Sequence, residues 1–127
     1  MTLLSLRYRI AGMQNDRNLQ AVRDVRDMEK IVLAQSWVCI LFIRTDCAAS
    51  RDALPRVERM VKRFTDVHGF LFNLDDDPAA AGRYLVFDTP SIVVYLNGKP
   101  VLRQTGAVSH QEIYRAILEI HQQQDLA

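Results

Sequence analysis

Cys47 stands directly after the apolar run Val38-Cys39-Ile40-Leu41-Phe42-Ile43 and directly before a segment with helical periodicity, and Ser50 follows it by three residues. A thiol at the start of a helix meets backbone N–H groups that have no partner within the helix, and the helix dipole adds to their effect. Both favour the thiolate, which is the form that attacks disulfides. Ser50, one turn on, can donate its hydroxyl to the sulfur and favour the charge further. Arg44 and Arg51 push the same way and Asp46 pushes against them. The sum predicts a Cys47 pKa modestly below the free-cysteine value of about 8.5. The competing reading is an unreactive remnant in a module that only binds another protein, which Asp46 favours.

No other residues match that placement. Cys39 lies inside the apolar run and reads as a small core residue. If the chain from Cys39 to Cys47 is mostly extended, at about 3.3 Å per residue, the two Cα atoms lie far beyond the roughly 7 Å limit for a disulfide. His68, His110 and His121 have no metal-ligand spacing with cysteines or acids and read as surface or capping residues. Asp75-Asp76-Asp77 lacks the glycine and distal glutamate of a calcium loop and reads as a cap for the short helix after it. No cofactor and no metal are expected.

The elements that must position Cys47 follow from periodicity. Leu4, Leu6, Tyr8 and Ile10 alternate with polar residues and predict an N-terminal strand, followed by a loop over Ala11 to Arg17. A short extended piece spans Leu19 to Val22. Asp24 caps a helix whose apolar face is Val25, Met28, Ile31 and Val32, ending near Gln35. Trp37 to Ile43 predicts a central strand covered on both faces, with Trp37 as packing. From Ala48 the positions Leu54, Val57, Val61 and Phe64 mark one helix face, with Pro55 expected to kink it. Gly69 is expected to end that helix, with a strand from Phe70 to Leu74 and a short helix from Ala79 to Tyr84. Ser91 to Leu96 and Val101 to Gln104 form a hairpin about Asn97-Gly98. Ser109-His110-Gln111-Glu112 reads as a capping box for the last helix, whose buried face is Ile113, Ala116, Ile117 and Ile120. The polar run after His121 is expected to fray.

The 127 residues fit one domain. Sixteen Lys plus Arg against fifteen Asp plus Glu give a formal net charge of +1, which provides no single-sign field to draw in nucleic acid or anionic lipid. Arg17, Arg23, Arg26, Arg56, Arg59 and Arg63 are interleaved with acids and read as solvated helix faces. No apolar run approaches the roughly 18 residues of a membrane span, and the first residues lack the pattern of a signal peptide. A cytoplasmic protein with no membrane and no nucleic-acid partner is expected.

The order strand, helix, strand, helix, strand, hairpin, helix resembles the thioredoxin fold. The similarity covers about Leu19 to His121 and rests on four features in register: the Cys47 to Pro55 spacing, Thr89-Pro90 before the hairpin, Asn97-Gly98 at its turn, and Gly106-Ala107-Val108-Ser109 leading into the last helix. The resemblance implies an α/β domain: a central mixed sheet flanked by helices, with residues 19–121 as core. Residues 1–18 would be an extension carrying an extra strand, and 122–127 a frayed tail. It also implies a cis Thr89-Pro90 bond whose Thr89 backbone docks substrate beside Cys47, with Asp46, Ala48 and Ala49 on the same surface.

The departures matter as much. Reductases of this family read Trp-Cys-Gly-Pro-Cys where this chain reads Asp46-Cys47-Ala48-Ala49-Ser50, and their buried proton-relaying aspartate is here Leu41. The loss of the second cysteine at Ser50, Leu41 in place of the aspartate and Asp46 in place of the tryptophan all fall on the half-reaction in which a second thiol resolves a mixed disulfide. Monothiol exchange, with Cys47 and Ser50 as the working pair, is therefore expected in place of dithiol reduction. Iron–sulfur-carrying monothiol glutaredoxins have Gly-Phe where this chain has Ala48-Ala49, so no cluster is assigned. The implied partner is a protein or low-molecular-weight thiol or disulfide. The alternative is a non-catalytic adaptor that uses the same face, or a homodimer through the N-terminal strand, since an unpaired strand edge invites pairing.

Overall fold

Trp37–Ile43 (β2) sends Val38, Ile40 and Phe42 into one apolar cluster and Trp37, Cys39 and Leu41 into another, and all six side chains are buried. Strand side chains alternate between faces, so an uninterrupted apolar run requires cover on both. The structure is a computed structural model and describes residues 19–106 and 108–126. The strand expected over Leu4 to Ile10 and the loop after it lie outside the described residues.

Val67–Asn73 (β3) runs parallel to β2 on one side, and Ser91–Leu96 (β4) runs antiparallel on the other. Gln20–Val22 (β1) pairs parallel with β3 at one edge, and Lys99–Thr105 (β5) pairs antiparallel with β4 at the opposite edge. The result is a mixed five-stranded sheet in the order β1-β3-β2-β4-β5. Val25–Ala34 (α1) and Ala79–Tyr84 (α3) cover one face, contributing Met28, Ile31, Val32, Ala80 and Tyr84 to its core. Ala48–Lys62 (α2) and His110–Leu126 (α4) cover the other through Ala53, Val57, Met60, Val61, Ile113 and Ile117. Burying Phe42 and Phe72, both fully enclosed, contributes about 1.5–3 kcal/mol each. The α2 helix continues through Pro55 as one element.

Several local features depart from the sequence reading. Gly69 does not end α2, which stops at Lys62; it sits inside β3, where a Cβ would lie 2.5 Å from Leu19 Cδ2 and 3.0 Å from Val61 Cγ1. The glycine lets α2 and the chain before β1 close on the sheet. The acidic triplet does not cap α3 either, whose first turn has no side-chain cap. Asp77 Oδ2 instead accepts the Val25 N–H at 2.9 Å, satisfying an open donor at the start of α1 beside those that Asp24 takes from Arg26 and Asp27. Half of the expected capping box forms directly, Glu112 N–H to Ser109 Oγ at 3.3 Å. The other half runs through Gln104, which accepts the Ser109 N–H and donates to Glu112 Oε2.

The last helix continues to Leu126, past the point where fraying is expected. His121 is no simple surface residue. Its ring stacks on Trp37 at 4.6 Å and on Phe64 at 5.4 Å, while its two nitrogens meet the Ile117 carbonyl and the Asp66 carboxylate. That anchor ties the lower half of α4 to the start of β2.

Candidate functional site

The strand β2 ends at Ile43, whose carbonyl accepts the Leu74 N–H at 2.9 Å. The turn that follows is fixed from the neighbouring strand. Asp75 Oδ2 accepts the Thr45 N–H at 2.9 Å, Asn73 Nδ2 donates to Thr45 Oγ1 at 3.0 Å, and the Asp75 N–H returns to Asn73 Oδ1. The Thr45 N–H, and after it the Thr45 hydroxyl, hold the Asp75 carboxyl below its ordinary range, with the Arg44 charge helping. This network delivers Cys47 in an extended conformation, φ −125° and ψ 107°, as the residue that caps α2.

Cys47 is partly exposed and unpaired in a disulfide. Its sulfur lies 3.5 Å from Thr89 Oγ1, which can donate to it, and 3.6 Å from the Thr89 carbonyl, which can accept from the thiol. Ser50 is 2 % exposed, and its hydroxyl makes no hydrogen bond in this structure. It sits one turn into α2 from the sulfur, a place from which a hydroxyl favours the thiolate. The Cys47 pKa is accordingly lowered to about 7, with the Ser50 hydroxyl as the largest cause. The Thr89 side chain and the Ser50 N–H follow; partial burial opposes them, and the Ala49 N–H adds a little more. These are the open amides of a helix start acting together with two hydroxyls.

Not every expected influence acts. Arg44 and Arg51 are not among the groups that lower the Cys47 pKa. Arg44 donates to the Phe87 carbonyl at 3.2 Å, and its charge acts on Asp75. Asp46 is exposed and does not act on the sulfur either. Cys39 is fully buried on β2, and desolvation pushes its thiol up to about 12.

The segment facing Cys47 is tightly held. The Thr89-Pro90 peptide bond is cis. The Ser91 hydroxyl donates to the Asp88 carbonyl at 2.6 Å, and the Gly106 N–H donates to the Pro90 carbonyl at 2.9 Å. Arg103 donates to the carbonyls of Tyr84 and Leu85, where Leu85 takes a left-handed φ of 56°. Between these clamps Val86 is buried, while Leu85 and Phe87 are 67 % and 64 % exposed.

Cys47, Ser50, Thr89 and Pro90 therefore come together, with Ala48 and Ala49 exposed on the first turn of α2 and Asp46 exposed beside them. The Thr89 hydroxyl is a participant that spacing did not reveal; only its backbone was expected to matter. The Asn73–Thr45–Asp75 network was also missed, because the acidic triplet reads locally as a cap. Among the described residues no three His, Cys, Asp or Glu side chains converge as a metal site, and no helix is long and apolar enough to cross a membrane.

No family model matches the chain. A thioredoxin of Streptomyces clavuligerus is 30 % identical over 84 residues, 66 % of this chain and 73 % of that protein. Thioredoxin-like protein YdfQ of Bacillus subtilis is 19 % identical over 105 residues, 83 % of this chain and 94 % of that one. The crystal structure of thioredoxin from Trypanosoma brucei brucei superposes with a TM-score of 0.76 at 15 % identity, covering 84 % of this chain and 93 % of the other.

Proposed function

This chain belongs to the thioredoxin family, and on that premise we propose that it is a monothiol thiol–disulfide exchange protein with Cys47 as its nucleophile. The observation that carries the proposal is the Cys47 sulfur at the start of α2, 3.5 Å from the Thr89 hydroxyl, with its pKa lowered to about 7. About half of such a thiol is ionised at neutral pH.

The thiolate attacks one sulfur of a bound disulfide. The substrate S–S bond breaks, its other sulfur leaves as a thiolate, and Cys47 ends in a mixed disulfide. Ser50, one turn on, is a hydroxyl that holds the thiolate and cannot displace a sulfur. Cys39 is enclosed in the core and cannot reach the adduct. A second molecule must therefore supply the resolving thiol, and the cytoplasm, where low-molecular-weight thiols are kept reduced, would supply it. Thr89 and Pro90, with Asp46, Ala48 and Ala49, form the substrate-docking surface. Residues 19–121 act as one thioredoxin-like domain, with 1–18 as an extension and 122–127 as its tail.

A second reading is favoured by the exposed Leu85 and Phe87 beside the site: a non-catalytic adaptor that holds a partner on the same face. Exposure to oxidised glutathione followed by mass spectrometry separates the two. A single adduct on Cys47, removed by reduced glutathione, supports monothiol exchange. An unmodified Cys47 in the folded protein supports the adaptor. The Ser50→Cys variant adds a check, since gain of disulfide reductase activity requires a working docking groove.

A further inference from the structure

The helices α2 and α4 flank an open surface groove of about 430 Å³ lined by Arg59, Met60, Arg63, His110, Gln111, Tyr114 and Arg115. Arg59 and Arg63 are four residues apart on α2 and its cap, and Gln111 and Arg115 are four apart on α4. Each helix thus turns one stripe towards the other. Met60, 2 % exposed, forms the floor. The Arg63 guanidinium carbon sits 3.8 Å from the centre of the Tyr114 ring, which holds it in place.

Three permanent positive charges share this groove with no acidic side chain in its lining. Among the described residues the ion pairs are Arg83 with Glu29 and His121 with Asp66, so none of the three guanidiniums is paired with a carboxylate. Arginines at i and i+4, as Arg59 and Arg63 are, repel one another, and an anion between them would offset that repulsion. The net charge of +1 hides this arrangement, because a sum over the chain says nothing about where charges gather.

We propose that this groove binds a compact phosphate-bearing anion carrying two or more phosphate groups. Planar guanidinium forks pair with phosphate oxygens through two parallel hydrogen bonds. A di- or triphosphate concentrates its charges within a space of this size, whereas an acidic peptide would have to gather several carboxylates onto two facing helices. The Gln111 amide adds a neutral hydrogen-bond donor on the α4 side. The groove uses no atom of Cys47, Ser50 or Thr89, so its occupancy does not depend on the thiol chemistry.

The test is thermal melting and amide NMR titration of the full chain with inorganic tripolyphosphate and with ADP, against sodium chloride at matched ionic strength. Tripolyphosphate is expected to raise Tm beyond chloride, since a ligand bound only to the native state stabilises it. It should also shift the amides of residues 59–63 and 110–115. The Arg59→Ser/Arg115→Ser double variant, altered at two exposed positions and checked for an unchanged Tm in chloride, should bind at least tenfold more weakly. Tighter binding of ADP would identify a nucleotide as the source of the phosphates, and binding of tripolyphosphate alone would identify a free polyphosphate. No effect beyond chloride, equal binding by the double variant, or tighter binding of a poly-glutamate peptide would overturn the proposal.

Discussion

The Thr89 hydroxyl lies 3.5 Å from the Cys47 sulfur across 42 positions of sequence, and the Thr89 carbonyl lies at 3.6 Å. One residue thus serves both protonation states: the carbonyl accepts from the thiol, and the hydroxyl donates to the thiolate. Thr89→Val keeps the carbonyl and removes the donor. The Cys47 pKa is expected to rise, and by less than when Ser50 is changed, because Ser50 is the larger cause of the lowered value. Thiol titration of the two variants side by side checks the order.

Ser50→Ala should raise the Cys47 pKa towards its ordinary value without loss of stability. The Ser50 hydroxyl is buried and makes no hydrogen bond in this structure. Removing a buried unsatisfied group relieves a desolvation cost of about 1–3 kcal/mol. Chemical denaturation below pH 7, where the thiol form dominates, should show the variant at least as stable as the parent.

How much of this site could be read from the chain alone depends on the range of each interaction. The central strand, the cap at Asp24 and the hairpin at Asn97-Gly98 follow from local periodicity and turn chemistry, which a short window contains. Cys47 was legible for the same reason, since strand and helix patterns meet at it. The burial of Ser50, the reach of Asp77 to Val25 and the turn of Arg44 towards Phe87 depend on how distant segments register against each other. Gly69 was misread because a glycine after a helical pattern looks like a stop, and only the approach of Leu19 and Val61 reveals its use.

Cys39 is expected to stay unmodified in the folded protein. It is fully enclosed and its thiol is pushed up to about 12. Alkylation of the native chain should label one cysteine, and labelling in denaturant should label both. Cys39→Ser should destabilise by about 1–3 kcal/mol through an unpaired buried hydroxyl, measurable by urea unfolding.

His121 gives stability a pH dependence. Burial, the largest single influence, pulls its pKa down, but the Ile117 carbonyl, the Asp66 hydrogen bond and the charges of Asp66 and Asp125 together outweigh it and raise it above the ordinary 6.5. A pKa raised on folding means that the folded state binds the proton more tightly. The extra stability is fully present below 6.5 and is lost as pH rises through the folded value. Urea unfolding of the parent and of His121→Gln, well below and well above 6.5, should show the difference between them shrinking as pH rises.

The most direct test of a nucleophilic Cys47 is the rate of its alkylation as a function of pH, followed by mass spectrometry to assign the labelled residue. A rate that rises through a midpoint near 7, with the label on Cys47 alone, is the expected result. A rate that rises only near the free-cysteine value of about 8.5 would contradict it and leave this face to partner binding.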